Sequence, residues 1–230
     1  MTRPDHHYFH TLLRATLLMA SVLAPMRIHL LADVEAWVPQ QVIDKAFEEH
    51  GGSAARLMHR WRDKMHELAT ASEDEKLRGI NDFFNQSIPY VSDQKHWQQD
   101  DYWATPYESL ASGGGDCEDY VIAKYYTLTK LGVETEKLRI TYVKAIRYNQ
   151  AHMVLTYFPT PDAVPYVLDN LIPTIKSADR RDDLEPVYSF NGEGLWLERM
   201  KGQGILMGNP NKLDLWTDLR VRMHQLGMDL

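Results

Sequence analysis

The spacing of apolar residues changes period once along this chain, near Gly132, and that change restricts the fold more than any other feature. Before it, Val42, Ala46, Leu57, Trp61, Met65 and Leu68 recur at intervals of three and four, with Gly51-Gly52 dividing the run, and the pattern predicts helices from Pro39 to about Gln86. Ser72 with Glu75 reads as a capping box opening a helix through Phe83 and Phe84, and Pro89 ends it. After Gly132 the segments are short, β-branched and aromatic. They are LRITYVKAI (Leu138–Ile146), HMVLTYF (His152–Phe158), PYVLDNL (Pro165–Leu171), PVYSF (Pro186–Phe190) and LWLERM (Leu195–Met200). An amphipathic helix over Leu213–Leu226 closes the chain. Helices first and a mostly antiparallel sheet afterwards make this an α+β fold.

Two stretches fall outside that scheme. Residues 90–115 read as a long irregular segment, polar but carrying Trp97, Tyr102, Trp103 and Tyr107, and aromatics in such number argue against disorder. The N-terminal segment has Arg3 and Arg14 ahead of an apolar run, Ala15–Ala24, that is interrupted by Pro25 and Arg27. The run is too short to span a bilayer as a helix and suits the apolar region of an export signal, with Ala24 or Ala32 as cleavage positions. The expected organisation is therefore a signal over 1–32 and a single domain over 33–230. That domain comprises a helical part (39–88), a catalytic core (89–200) and the closing helix (213–226). The chain is expected in the periplasm and not itself membrane-spanning. A net charge of −7 with no basic run disfavours nucleic acid as a partner.

An exported chain with one cysteine has no internal disulfide, so its thiol is structural, intermolecular or reactive. Cys117 follows Gly113-Gly114-Gly115 and Asp116, a candidate N-cap, at the start of a helix that runs to Gly132. Unpaired N–H groups there favour a thiolate and offer an oxyanion hole, while the glycines let backbone approach a substrate. Of ten histidines only His152 and His224 follow Cys117; His224 falls in the closing helix, His59 and His66 on a helix surface, and His96 in the aromatic segment. Folding His152–Phe158 back on Pro165–Leu171, with the turn centred near Thr160–Pro161, sets His152 directly opposite Asp169. Asp162 then falls in the turn, with Asn170 and Asp179 as weaker substitutes. Cys117, His152 and Asp169 thus take the roles of nucleophile, base and orienting acid in acyl transfer.

The run GGGDCEDYVIAKY, with AHMVL and then LDN at the spacings of His152 and Asp169, resembles the bacterial transglutaminase-like cysteine peptidases, the adhesin-releasing periplasmic type in particular. The resemblance covers about Ile88–Pro173 well and the helical portion before it plausibly. It implies a papain/transglutaminase-like fold with the cysteine helix packed on an antiparallel sheet, and the same three residues as the triad. It also implies calcium dependence and cleavage of a large surface adhesin near its N-terminus at a dialanine site, controlling biofilm attachment. Sequestration by an inner-membrane receptor that senses cyclic di-GMP belongs to the same expectation.

The residues bear on calcium themselves. Asp116, Glu118 and Asp119 surround Cys117 and are hard oxygen donors of the kind Ca²⁺ takes, although acids at a helix start are also favoured by capping and by the dipole. Asp116 and Asp119 share a face as i and i+3, and Glu118 points elsewhere but is within reach. Trp97, Tyr102 and Trp103 line the cleft or pack in the core, and Trp97 is a candidate for shaping the oxyanion hole. Other readings are a transglutaminase or amidase that uses the same triad with an amine acceptor, and a non-catalytic binding module on this scaffold.

Overall fold

Helices α1 (Gln40–His50), α2 (Gly52–Leu68) and α3 (Glu73–Ser87) account for the first part of the chain. The computed structural model describes residues 34–197, 204–210 and 213–230. The apolar run Ala15–Ala24 and both cleavage positions lie outside those residues, as do 198–200 of the last expected strand. α1 passes to α2 through Gly51, whose positive φ of 81° glycine adopts without strain. Ser72 and Glu75 cap the start of α3 reciprocally, as their spacing predicts. The three helices bury one face each around Trp61. Its ring meets Phe84 and Tyr126 at 6.1 and 6.0 Å, and its Nε1–H donates to Thr127 Oγ1 at 3.0 Å.

The segment read as irregular contains two helices, α4 (Asp93–His96) and α5 (Pro106–Ser112). α5 was legible: Thr105 and Glu108 form a second capping box with Pro106 in the first turn, where a proline costs no hydrogen bond. Next comes α6 (Cys117–Lys130), which packs against α3 on one side and against the sheet on the other.

The sheet has strands β1 (Leu138–Ala145), β2 (Gln150–Tyr157), β3 (Tyr166–Leu168), β4 (Lys176–Ser177), β5 (Leu184–Phe190), β6 (Leu195–Leu197) and β7 (Ile205–Gly208). Its order is β4-β3-β2-β1-β5-β6-β7, with antiparallel neighbours throughout. β4 and β7 are too short to announce themselves in the sequence. Side chains alternate across it. Leu138, Ile140, Met153, Leu155 and Leu168 join the helical core, whereas Val143, Val154 and Val167 form a small cluster on the other face. The closing helix α7 (Asp214–Gln225) completes the main core with Trp216, Leu219 and Met223. No helix among the described residues is long and apolar enough to cross a membrane.

The β2–β3 hairpin departs from its expected register. Leu155 pairs with Leu168 and Tyr157 with Tyr166, so continuing the ladder sets Asp169 level with Val154 rather than His152. The turn is centred nearer Pro161–Asp162 than Thr160–Pro161. The offset is two residues, which preserves the face; an offset of one would have put the carboxylate on the wrong side of the sheet. A diagonal neighbour across two strands stays within reach of an imidazole.

Candidate active site

Cys117 opens α6, and its partly buried thiol faces a cleft of about 610 Å³ lined also by Tyr90, Trp103, Asp116, Glu118, Tyr142, His152 and Tyr188. The backbone N–H of Met153, the residue after His152, donates to the thiol and ties the helix start to β2. Tyr120 is the first residue of the helix to donate back to the Asp116 carbonyl, which leaves the N–H groups before it without helical acceptors. The glycine tract is needed for packing. Gly113, with φ 76°, ends α5, and a Cβ on Gly115 would lie 2.8 Å from Asp119 Oδ2.

His152 and Asp169 meet. Nε2 of the buried imidazole lies 2.8 Å from Asp169 Oδ1, which also accepts the Leu171 N–H at 3.0 Å. Burial alone would raise the Asp169 carboxyl, but His152, Arg181 and the Leu171 N–H outweigh it and hold the group at about 2. An ionised Asp169 only accepts, so Nε2 carries the proton toward it and Nδ1 is left as the free basic nitrogen. Asn85 Nδ2 donates to the Asp169 carbonyl at 2.8 Å and fixes the backbone behind it.

The acids around Cys117 divide into two kinds. Asp119 is fully buried and both its oxygens take backbone N–H groups, from Ala104 at 2.7 Å and from Asp116 at 3.2 Å. It holds the loop before α5 against the helix start. Asp116 and Glu118 face the cleft, and with them stand Asp93 and Asp101, which no spacing rule connects to a helix more than a dozen residues later. Asp116, Cys117 and Glu118, then Asp93, Asp116 and Asp119, then Asp93, Asp101 and Glu118 each bring ligand atoms within 4.8 Å of one another. Burial followed by Asp116 and Asp101 pushes Asp93 up to about 6, although the Tyr102 N–H opposes it. Burial and the adjacent Asp116 push Glu118 up to about 9.

These groups fit a hard divalent cation. Asp93 Oδ1 and Asp116 Oδ1 are buried carboxylate oxygens without a hydrogen-bond partner, an expensive condition that a cation would relieve. The same crowding acts on the thiol. Cys117 Sγ donates to Glu118 Oε2 at 2.9 Å, and burial, then Glu118 and Asp116, push the thiol well above its ordinary range. The helix start expected to favour thiolate is outweighed by burial and by the acids beside it.

The two tryptophans separate. Trp103 lines the cleft and stacks on Phe190 with ring centroids 5.6 Å apart. Trp97 packs on His96 and Tyr102 and faces a different hollow, beside Glu49, Tyr107 and Arg222, so it is not among the residues around the thiol. His96 donates or accepts with Ser112 Oγ at 2.8 Å, and His224 is exposed beside Asp229, so neither joins His152.

The family model for the bacterial transglutaminase-like cysteine proteinases matches residues 23–183. Solved structures of LapG from Legionella pneumophila superpose with a TM-score of 0.70 at 40% identity, covering 80% of this chain and 96% of that one. The calcium-bound form gives 0.68 at 41% identity, covering 79% and 97%, and the EGTA-treated form gives 0.70 at 38%, covering 80% and 96%. A search of the curated proteins finds no match.

Proposed function

From the premise that this chain belongs to the bacterial transglutaminase-like cysteine proteinases and is a cysteine peptidase, we propose that it is a calcium-dependent endopeptidase using Cys117, His152 and Asp169. The observation that carries the reading is the buried 2.8 Å contact between His152 Nε2 and Asp169 Oδ1 in a residue lining the same cleft as Cys117. His152 Nδ1 takes the thiol proton as Sγ adds to the scissile carbonyl carbon. The carbonyl oxygen becomes an oxyanion, for which the Cys117 and Glu118 N–H groups at the start of α6 are the available donors. Collapse breaks the C–N bond, His152 returns the proton to the leaving amine, and a thioester remains on Cys117. Water, deprotonated by His152, adds to the thioester; the C–S bond then breaks, the carboxylic acid leaves, and His152 returns the proton to Sγ.

Asp93, Asp116, Glu118 and Asp101 would hold the calcium, and a bound Ca²⁺ supplies positive charge that offsets the acids beside the thiol. The pair of LapG structures named as calcium-bound and EGTA-treated supports calcium as the cation. The cation set differs from the sequence reading, which favoured Asp116 with Asp119, because the Asp119 oxygens are occupied by backbone.

The resemblance to adhesin-releasing proteases supports the finer reading. The first 32 residues are an export signal, and the mature chain works in the periplasm. Its substrate is a large surface adhesin cut near the N-terminus, and an inner-membrane receptor for cyclic di-GMP is its partner. The test uses the N-terminal region of a large adhesin encoded beside this chain. Wild type is expected to give a new N-terminus that excess EGTA suppresses, and Cys117→Ala is expected to give none while keeping the wild-type circular dichroism. Cleavage by Cys117→Ala would end the nucleophile assignment, and undiminished cleavage in EGTA would end the calcium one.

A further inference from the structure

Besides His152 and the Leu171 N–H, the Asp169 carboxylate has a third partner, a charged side chain that the reaction does not use. Arg181 lies in the turn after β4, 3% exposed, and its Nη2 donates to Asp169 Oδ2 at 2.7 Å. The same guanidinium is held from behind by Asp183, with Nε to Oδ1 and Nη2 to Oδ2 both at 2.9 Å. Arg181 belongs to the hollow on the sheet face away from the main core, beside Val143, Val154 and Val167, and does not line the cleft. By strand parity His152 and Asp169 share the face of Val143 and Val154, so the carboxylate is gripped at one oxygen by Arg181 and presents the other to His152.

That arrangement answers a difficulty in the local structure. β3 ends at Leu168, so Asp169 has no ladder partner to fix its direction, and it reaches His152 only diagonally. A carboxylate on a strand end rotates about two bonds, and a rotation that lost the Nε2 contact would leave the imidazole free to turn or change tautomer. A planar guanidinium fork, itself clamped by a second carboxylate, fixes orientation as a point charge does not. Other charged or polar groups near Asp169 are Lys124 of α6 and Asn85 of α3, and the latter holds only its carbonyl.

We propose that Arg181, clamped by Asp183, is a positioning residue that sets Asp169 Oδ1 toward His152 and so acts on the reaction without lining the cleft. The inference rests on the Cys117–His152–Asp169 reading. Arg181 touches no substrate, so its loss changes turnover and not substrate binding.

The experiment measures kcat and KM on a cleaved adhesin peptide, with the His152 Nε2 proton followed by NMR. Arg181→Ala is expected to lower kcat by about 10- to 100-fold with KM within about twofold, the scale of a small misplacement of a reacting group. The His152 proton signal is expected to weaken through exchange with water. Added guanidinium, which reaches the hollow from solvent, is expected to restore turnover. Arg181→Lys keeps the charge without the fork and is expected to fold, with kcat reduced by about tenfold. If Arg181→Ala fails to fold, Arg181→Lys decides: wild-type kcat in that variant overturns the proposal. Asp169→Ala separates the two readings. Full activity there removes the triad assignment itself. An inactive Asp169→Ala beside Arg181 variants with wild-type kcat and an unchanged His152 signal removes the positioning role alone.

Discussion

Replacing Lys124 with methionine is expected to stabilise the protein in mild acid and destabilise it in alkali. Lys124 lies on α6 with no exposed surface, and its Nζ has one hydrogen-bond acceptor, Asn81 Oδ1 at 3.0 Å. Burial pulls the ammonium down to about 7 from 10.5, with Asp169 and Asp82 opposing only weakly. In the unfolded chain the group keeps its ordinary affinity for a proton. The folded state therefore binds that proton less tightly, and the cost is fully present below about pH 7 and fades as pH rises toward 10.5. At roughly 1.4 kcal/mol for each pH unit of that displacement, the cost is bounded at about 5 kcal/mol. Methionine is close in length and carries no charge, but it leaves Asn81 Oδ1 with only the long 3.4 Å contact from Asn85 Nδ2, a loss of about 1–3 kcal/mol. The net expectation is a gain of roughly 2–4 kcal/mol at pH 6 and a loss of about 1–3 kcal/mol above pH 10. Urea denaturation of both proteins across that range, at constant calcium, measures it. A destabilised methionine variant at pH 6, or a difference that does not change with pH, would refute the argument. Asn81 also donates to the Pro173 carbonyl, next in line to the Asp169 loop, so the stabilised variant is expected to lose activity.

Three further outcomes follow from the acidic cluster and the glycine before it. Calcium affinity is expected to rise with pH from below 6 to about 9, because Asp93 and Glu118 are held protonated there and must release protons to bind; calorimetry in buffers of different ionisation heat would count them. Asp116→Asn is expected to weaken calcium at least about tenfold. Asp119→Asn, whose oxygens take backbone N–H groups, is expected to cost about 1–3 kcal/mol of stability and to change calcium affinity much less. The reverse ranking would restore Asp119 as a ligand. Gly115→Ala places a methyl against the Asp119 carboxylate and is expected to lower the urea midpoint by an amount equivalent to about 1–3 kcal/mol. An unchanged midpoint would mean that the helix start gives way freely.

What the sequence determined by itself were the features set by neighbours along the chain. Period 3.6 before Gly132 and strand-like segments after it fixed the order of elements, and Ser72-x-x-Glu75 fixed where α3 begins. Asp116-Cys117 at the head of α6 was equally local, since an N-cap and its helix are read within one turn. The hairpin placed His152 and Asp169 on one face because face parity survives an offset of two, although the pairing itself was off by that much. The tertiary structure decided everything that crosses between elements. Asp93 comes to Asp116 only because Tyr90 bridges to Gly115, an association of distant segments that no periodicity encodes. Trp97 and Trp103 look alike in sequence, yet one packs away from the thiol and the other lines its cleft, a difference set by the turn through Gln98 with its φ of 58°. Arg181 reaches Asp169 across a sheet order in which β4 is an edge, and its role depends on a distance that composition cannot carry. Local hydrogen bonding and side-chain period write themselves into adjacent residues, whereas a site assembled from four separate segments exists only once the sheet and helices have closed around it.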